Sequence, residues 1–106
     1  MNRGEIWTLG EPGQPSRYRV IVLSGGAHNM RPSGSPYCAP IVRQRGSSDE
    51  LPPFVVPLAE TDPVAGVVVV NRLRRIPVEA GAERVGMATG ASMARINDAI
   101  KDLFEL

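Results

Sequence analysis

Six arginines stand at the ends of short apolar runs: Arg17 and Arg19 where one run begins, Arg43 and Arg45 where another ends, Arg72 and Arg74 at the exit of a third. A guanidinium is a planar fork of N–H donors that grips a phosphate through two bonds at once. Arginines at loop and strand junctions therefore suit a phosphate-bearing ligand. Net charge is only +1, but the charges are segregated. Residues 1–48 hold six Arg against two Glu, residues 49–62 four acids and no base, and residues 72–75 three Arg. Eleven of the twelve basic residues are Arg, which a codon bias would also produce, with the arginines then forming a solvated rim.

Other catalytic kits are absent from the sequence. It contains no Gly-x-x-x-x-Gly-Lys-Ser/Thr phosphate loop and no nucleophile elbow. One His and one Cys cannot make a zinc site, the acids are scattered, and no cofactor or metal is expected. Cys38 has no disulfide partner and reads as a small strand residue, which agrees with a cytoplasmic location; His28 reads as a solvated loop residue. No apolar run approaches the roughly 20 residues of a membrane span, and the opening Met-Asn-Arg-Gly-Glu does not read as a secretion leader.

The elements that must position the arginines are short. Ten Pro and eleven Gly in 106 residues predict brief strands joined by turns. Strands are expected at 5–9, 18–24, 37–44 and 54–56, with the most apolar run, 67–70, as a central strand. Pro40 predicts an edge or a bulge in its strand, because proline cannot donate to a ladder. Residues 10–16 and 25–36 read as loops, the second mobile and carrying His28 and Arg31. Alternation along 71–76 puts Leu73 and Arg75 on one side and Arg72, Arg74 and Ile76 on the other. From Ser92 the period becomes helical: Met93, Ile96, Ile100, Leu103 and Phe104 form one apolar stripe, with Thr89 or Ser92 as cap. The apolar surface of the second strand and the helix predicts a dimer.

Several segments together resemble the MazF/PemK family of toxin endoribonucleases. Arg3-Gly4-Glu5-Ile6-Trp7 is similar to that family's opening strand, Arg19 to Ser24 to its second, Ala39-Pro40-Ile41 to its third, and Gly66 to Arg74 to the segment before its last strand. The resemblance implies one mostly β domain over residues 1–106, a small bent β-barrel of the CcdB/MazF type with a C-terminal α-helix. It further implies a cytoplasmic homodimer that cuts single-stranded RNA at a short sequence without metal or cofactor, inhibited by a cognate MazE-like antitoxin. The Trp-Gly-Ile ending of the gyrase poisons that share this fold is absent; the chain ends Phe104-Glu105-Leu106.

Metal-independent RNA cleavage must activate a 2′-hydroxyl, stabilise a pentavalent phosphorus and protonate the leaving 5′-oxygen. The family's catalytic Arg lies in an Arg-Pro pair that opens the second strand, where this chain has Tyr18-Arg19 preceded by Arg17. Its catalytic Thr or Ser falls on Val42, which Arg43 and Gln44 follow, and its Asp-Gln pair reads Asn71-Arg72. The resemblance thus implies a catalytic set of Arg17, Tyr18, Arg19 and Arg43, with Gln14, Ser16, Gln44, Arg45, Arg72 and Arg74 contacting RNA. The alternative is a catalytically altered member that binds RNA or a protein partner without cleaving.

Overall fold

The computed structural model describes residues 1–32, 34–44, 51–77 and 81–106. Among the described residues seven strands form one antiparallel sheet: β1 (Glu5–Leu9), β2 (Tyr18–Val22), β3 (Tyr37–Val42), β4 (Val55–Pro57), β5 (Val67–Val69), β6 (Arg74–Arg75) and β7 (Glu83–Met87). Their order is β4-β5-β3-β2-β1-β7, with β6 beside the start of β3. The mostly β fold with a C-terminal helix is as expected; among the described residues the sheet path from β4 to β7 does not close into a barrel. Two helices complete the described chain, a single turn α1 (Gly26–Asn29) and α2 (Gly90–Phe104).

Period-two alternation divides the apolar residues between the two faces of the sheet. Ile6, Ile21, Ala39, Ile41, Val68 and Val70 pack on one face with Ile96 of α2; Leu9, Val20, Val22, Cys38 and Ile76 pack on the other. Thr89 caps α2, its side chain accepting from the Ser92 N–H at 3.2 Å. The helix ends at Glu105, whose left-handed backbone lets Leu106 N–H return to the Lys101 carbonyl. Burial pushes the Cys38 thiol up to about 11, so Cys38 is an inert packing group.

Four expectations need correction. Pro40 lies in an interior strand, yet breaks no ladder. Tyr37 points its carbonyl at Leu23, so alternation aims position 40 away from β2, into the gap where β3 changes partner from β6 to β5. Within 25–36 the chain folds into α1, and His28 is held there, Nε2 donating to the Ser35 carbonyl at 2.8 Å and its ring 5.3 Å from that of Tyr37. A 3-10 turn over Val70–Arg72 interrupts the alternation along 71–76, so Arg72 and Arg74 diverge. The helical stripe is buried at Ile96 and packs through Met93, Ile100 and Leu103, but Phe104 is 56% exposed.

Val20, Ile21 and Val22 are fully buried within the protomer, so β2 offers no apolar surface to a second copy. The exposed large apolar residues lie instead at Val85 and Met87 of the edge strand β7, at Phe104 and Leu106, and at Met30, Tyr37 and Val42. Among the described residues no helix is long and apolar enough to cross a membrane.

Candidate functional site

Strand register sets a row of side chains across the sheet. Glu83 of β7 stands opposite Thr8 of β1, Thr8 opposite Arg19 of β2, and Arg19 opposite Ile41 of β3. Neighbours in such a row have Cβ atoms about 5 Å apart. Arg17, two residues before Arg19, reaches across β1 to the Glu83 end of this row. Its Nη2 meets the Glu83 carboxylate at 2.9 Å and its Nη1 donates to the Gly10 carbonyl at 3.0 Å. The loop between β1 and β2 prepares this reach, because Arg17 N–H donates to the Gln14 carbonyl and Gln14 N–H to that of Glu11.

Thr8, Arg17, Arg19, Val42, Arg43 and Gln44 line an open groove of about 760 Å³, closed on one side by Ala65 and Gly66. Gly66 has φ +136, and a Cβ there would stand 2.6 Å from the Val42 carbonyl oxygen, so only glycine lets this loop approach the groove so closely. A second groove of about 510 Å³ adjoins the first at Val42 and Arg43 and carries Arg72 on its far wall.

Five of the ten residues expected from sequence therefore meet at one groove: Arg17, Tyr18, Arg19, Arg43 and Gln44. Tyr18 borders it only through its place in β2. Its ring shares the opposite face with Val20 and Val22, where the Arg74 guanidinium lies 5.7 Å from the ring centroid and Arg74 Nη2 donates to Tyr18 Oη at 3.5 Å. Arg74 accordingly belongs to the reverse face. Gln14 and Ser16 are exposed on the β1–β2 loop and do not line the groove. Arg45 lies outside the described residues. Sequence reading missed Thr8 and Glu83. The alternation of β1 placed Thr8 on a face, but only cross-strand register shows that it stands between Glu83 and Arg19.

The arginines divide by what they touch. Arg3 donates to the Leu23 carbonyl and to Asn97, Arg84 pairs with the buried Glu5, Arg95 donates to Ser92 Oγ, and Arg17 is tied as described. Among the described residues Arg19, Arg43 and Arg72 make no ion pair or hydrogen bond through their guanidinium groups, and all three border the two joined grooves. Cations gathered around a concavity without internal acceptors focus a positive field on whatever enters it. The arrangement can hold two or more phosphate oxygens, with Gln44 and Thr8 offering neutral hydrogen bonds beside them.

A family model described as the PemK-like, MazF-like toxin of type II toxin-antitoxin systems matches residues 2–104. No curated protein sequence matches the chain. Among solved structures, a MazE-MazF crystal structure from Deinococcus radiodurans superposes with a TM-score of 0.78 at 24% identity, covering 98% of this chain and 94% of the other. An endoribonuclease in complex with its cognate antitoxin, from a mycobacterial species, gives a TM-score of 0.80 at 19% identity, covering 100% and 96%. MazF alone from Deinococcus radiodurans gives 0.79 at 22% identity, covering 100% and 97%. These likenesses establish the fold, and the family model spans nearly the whole sequence; the chain belongs to the PemK-like, MazF-like toxins of type II toxin-antitoxin systems.

Proposed function

We propose that the chain is a toxin that cuts single-stranded RNA at a short sequence without a metal ion, and that a cognate antitoxin of the MazE kind restrains it. The observation that carries this reading is the convergence of Arg17, Arg19 and Arg43 on one groove, two of them without an internal partner among the described residues. In the proposed step the 2′-oxygen attacks the adjacent phosphorus while its proton leaves, the bond from phosphorus to the 5′-oxygen breaks, and the 5′-oxygen takes up a proton. A cyclic 2′,3′-phosphate and a 5′-hydroxyl result. Negative charge on the non-bridging oxygens is greatest in the pentavalent transition state, so fixed guanidinium groups stabilise that state more than the ground state. Arg19 and Arg43 take this role; Arg17, anchored by Glu83 and Gly10, keeps one edge of the groove in place.

A homodimer agrees with the exposed Val85 and Met87 on the edge strand β7, and a cytoplasmic site of action agrees with an RNA substrate and a lone buried Cys38. The antitoxin partner is drawn from the solved relatives, a MazE-MazF pair and an endoribonuclease with its cognate antitoxin.

A second reading is a family member that binds RNA or a protein without cleaving it. One observation favours it: the side chain that opens the second strand, Tyr18, packs on the face opposite the groove. Incubating the purified protein with a mixed single-stranded RNA pool in EDTA, beside an Arg17/Arg19/Arg43 triple-alanine variant, separates the two. Discrete fragments from the wild type alone are expected. Intact RNA under all conditions would replace the nuclease reading with the binding one.

A further inference from the structure

Among the described residues two that border the main groove carry hydroxyl groups. Tyr18 Oη accepts from Arg74 on the reverse face, whereas Thr8 Oγ1 has no hydrogen-bond partner among the described residues. Thr8 is half-buried and stands in register between Arg19 and Glu83. Its side chain is short, so its hydroxyl lies low in the groove, while the side chains of Arg19 and Arg43 are long enough to carry their guanidinium groups several ångströms beyond their own backbone. A ligand whose phosphate is held at guanidinium height therefore lowers the neighbouring part of its backbone toward Thr8. In a nucleotide that part is the ribose.

Charge fixes which way round the strand lies. Glu83, on the far side of Thr8, is paired with Arg17, so that end of the row offers no net positive charge, whereas Arg19 and Arg43 have no acceptor among the described residues. The phosphate is directed toward Arg19 and Arg43, and the sugar is left over Thr8. A hydroxyl can both donate to and accept from another hydroxyl, and the 2′-hydroxyl is the group by which a protein distinguishes RNA from DNA at a given position.

We propose that Thr8 is the ribose-recognising residue of the groove: Thr8 Oγ1 hydrogen-bonds the 2′-hydroxyl of the nucleotide whose 3′-phosphate the arginines hold, selecting RNA over DNA and positioning the 2′-oxygen. The inference rests on the RNA reading above and adds to it a specificity residue. Valine suits a strand position, so Thr8→Val removes the hydroxyl while keeping the shape of the side chain and the sheet.

The test compares binding of a single-stranded RNA oligonucleotide with its deoxyuridine-containing DNA counterpart of the same sequence, at 4 °C, with intact RNA verified on a gel. The wild type is expected to prefer RNA by roughly fivefold, the scale of one net hydrogen bond. Thr8→Val should lose that preference while holding its DNA affinity, and Thr8→Ser should restore it; Thr8→Ala provides the same comparison if valine disturbs the sheet. A Thr8→Val protein with the wild-type RNA preference, or a wild type that binds both strands equally, overturns the inference and leaves the nucleic-acid reading standing. A wild type that binds neither overturns that reading and the inference with it.

Discussion

Asp62, in the connection between β4 and β5, and Arg19, near the start of β2, are both charged, and the molecule treats them in opposite ways. Asp62 is buried and its two oxygens are saturated: one accepts from Thr89 N–H at 2.7 Å, the other from Ala59 N–H at 2.7 Å and from the Ser92 hydroxyl. It sits at the first turn of α2, where the positive end of the helix dipole also favours it. Arg19 is exposed on the groove and has no acceptor among the described residues. A polar group satisfied internally ties elements together; one left unsatisfied in a concavity is available to a ligand. Arg17 stands between these cases, lining the groove yet held by Gly10 and Glu83.

The largest expected effect lies on the Asp62 side of the comparison. Asp62→Ala leaves the buried Ser92 hydroxyl and the Thr89 and Ala59 N–H groups without their acceptor, at a cost of about 3 kcal/mol. Thermal melting should show a Tm lower by more than about 10 °C; a midpoint within about 2 °C of wild type would mean that the Asp62 hydrogen bonds do not hold α2 to the β4–β5 connection. Burial alone would raise the Asp62 pKa, but the donors from Ser92, Thr89 and Ala59 outweigh it and hold the carboxyl below its usual range. Glu5 behaves the same way: burial raises it, and the Asn2 N–H and the Arg84 guanidinium more than compensate. Both folded-state values thus lie below the unfolded carboxyl value of about 4, so the stabilisation is complete above that pH and is lost as pH falls through the folded values. Urea midpoints should drop as pH falls below about 4, and Asp62→Asn should start lower and fall less. Parallel curves for the two proteins would assign the acid sensitivity elsewhere.

A smaller effect separates Arg17 from Arg19. Arg17→Ala should destabilise by about 1 kcal/mol, because the Glu83 end of its ion pair is 65% exposed and screened, while Arg19→Ala should leave Tm within about 2 °C. Equal losses for both would erase the distinction between an arginine that supports the fold and one that serves a ligand.

What sequence could reveal follows the range of the interaction. Period-two and helical patterns within single segments marked β1, β2, β3 and α2, and the resemblance carried by Arg3 to Trp7 and Arg19 to Ser24 pointed to the correct family. β7 escaped because it opens on two charged residues, Glu83 and Arg84, and only Val85 and Met87 alternate before it ends, too short an apolar signal to mark a strand. Pro40 misled because the gap it faces is created by two distant strands, β5 and β6. The site was half legible for the same reason. Arg17, Arg19 and Arg43 drew notice as residue types, but the row that sets Thr8 between Arg19 and Glu83 is a property of register, and the division of Arg72 from Arg74 depends on the 3-10 turn at Val70–Arg72.

The central claim is that Arg19 and Arg43 hold phosphate and do not support the fold. The salt dependence of single-stranded RNA binding tests it most directly, since each neutralised phosphate of a single strand contributes about 0.7 to the slope of log K against log salt concentration. The Arg19→Ala/Arg43→Ala double variant should melt like the wild type and lose about 1.4 from that slope. An unchanged slope, or a double variant that no longer melts cooperatively, would contradict it.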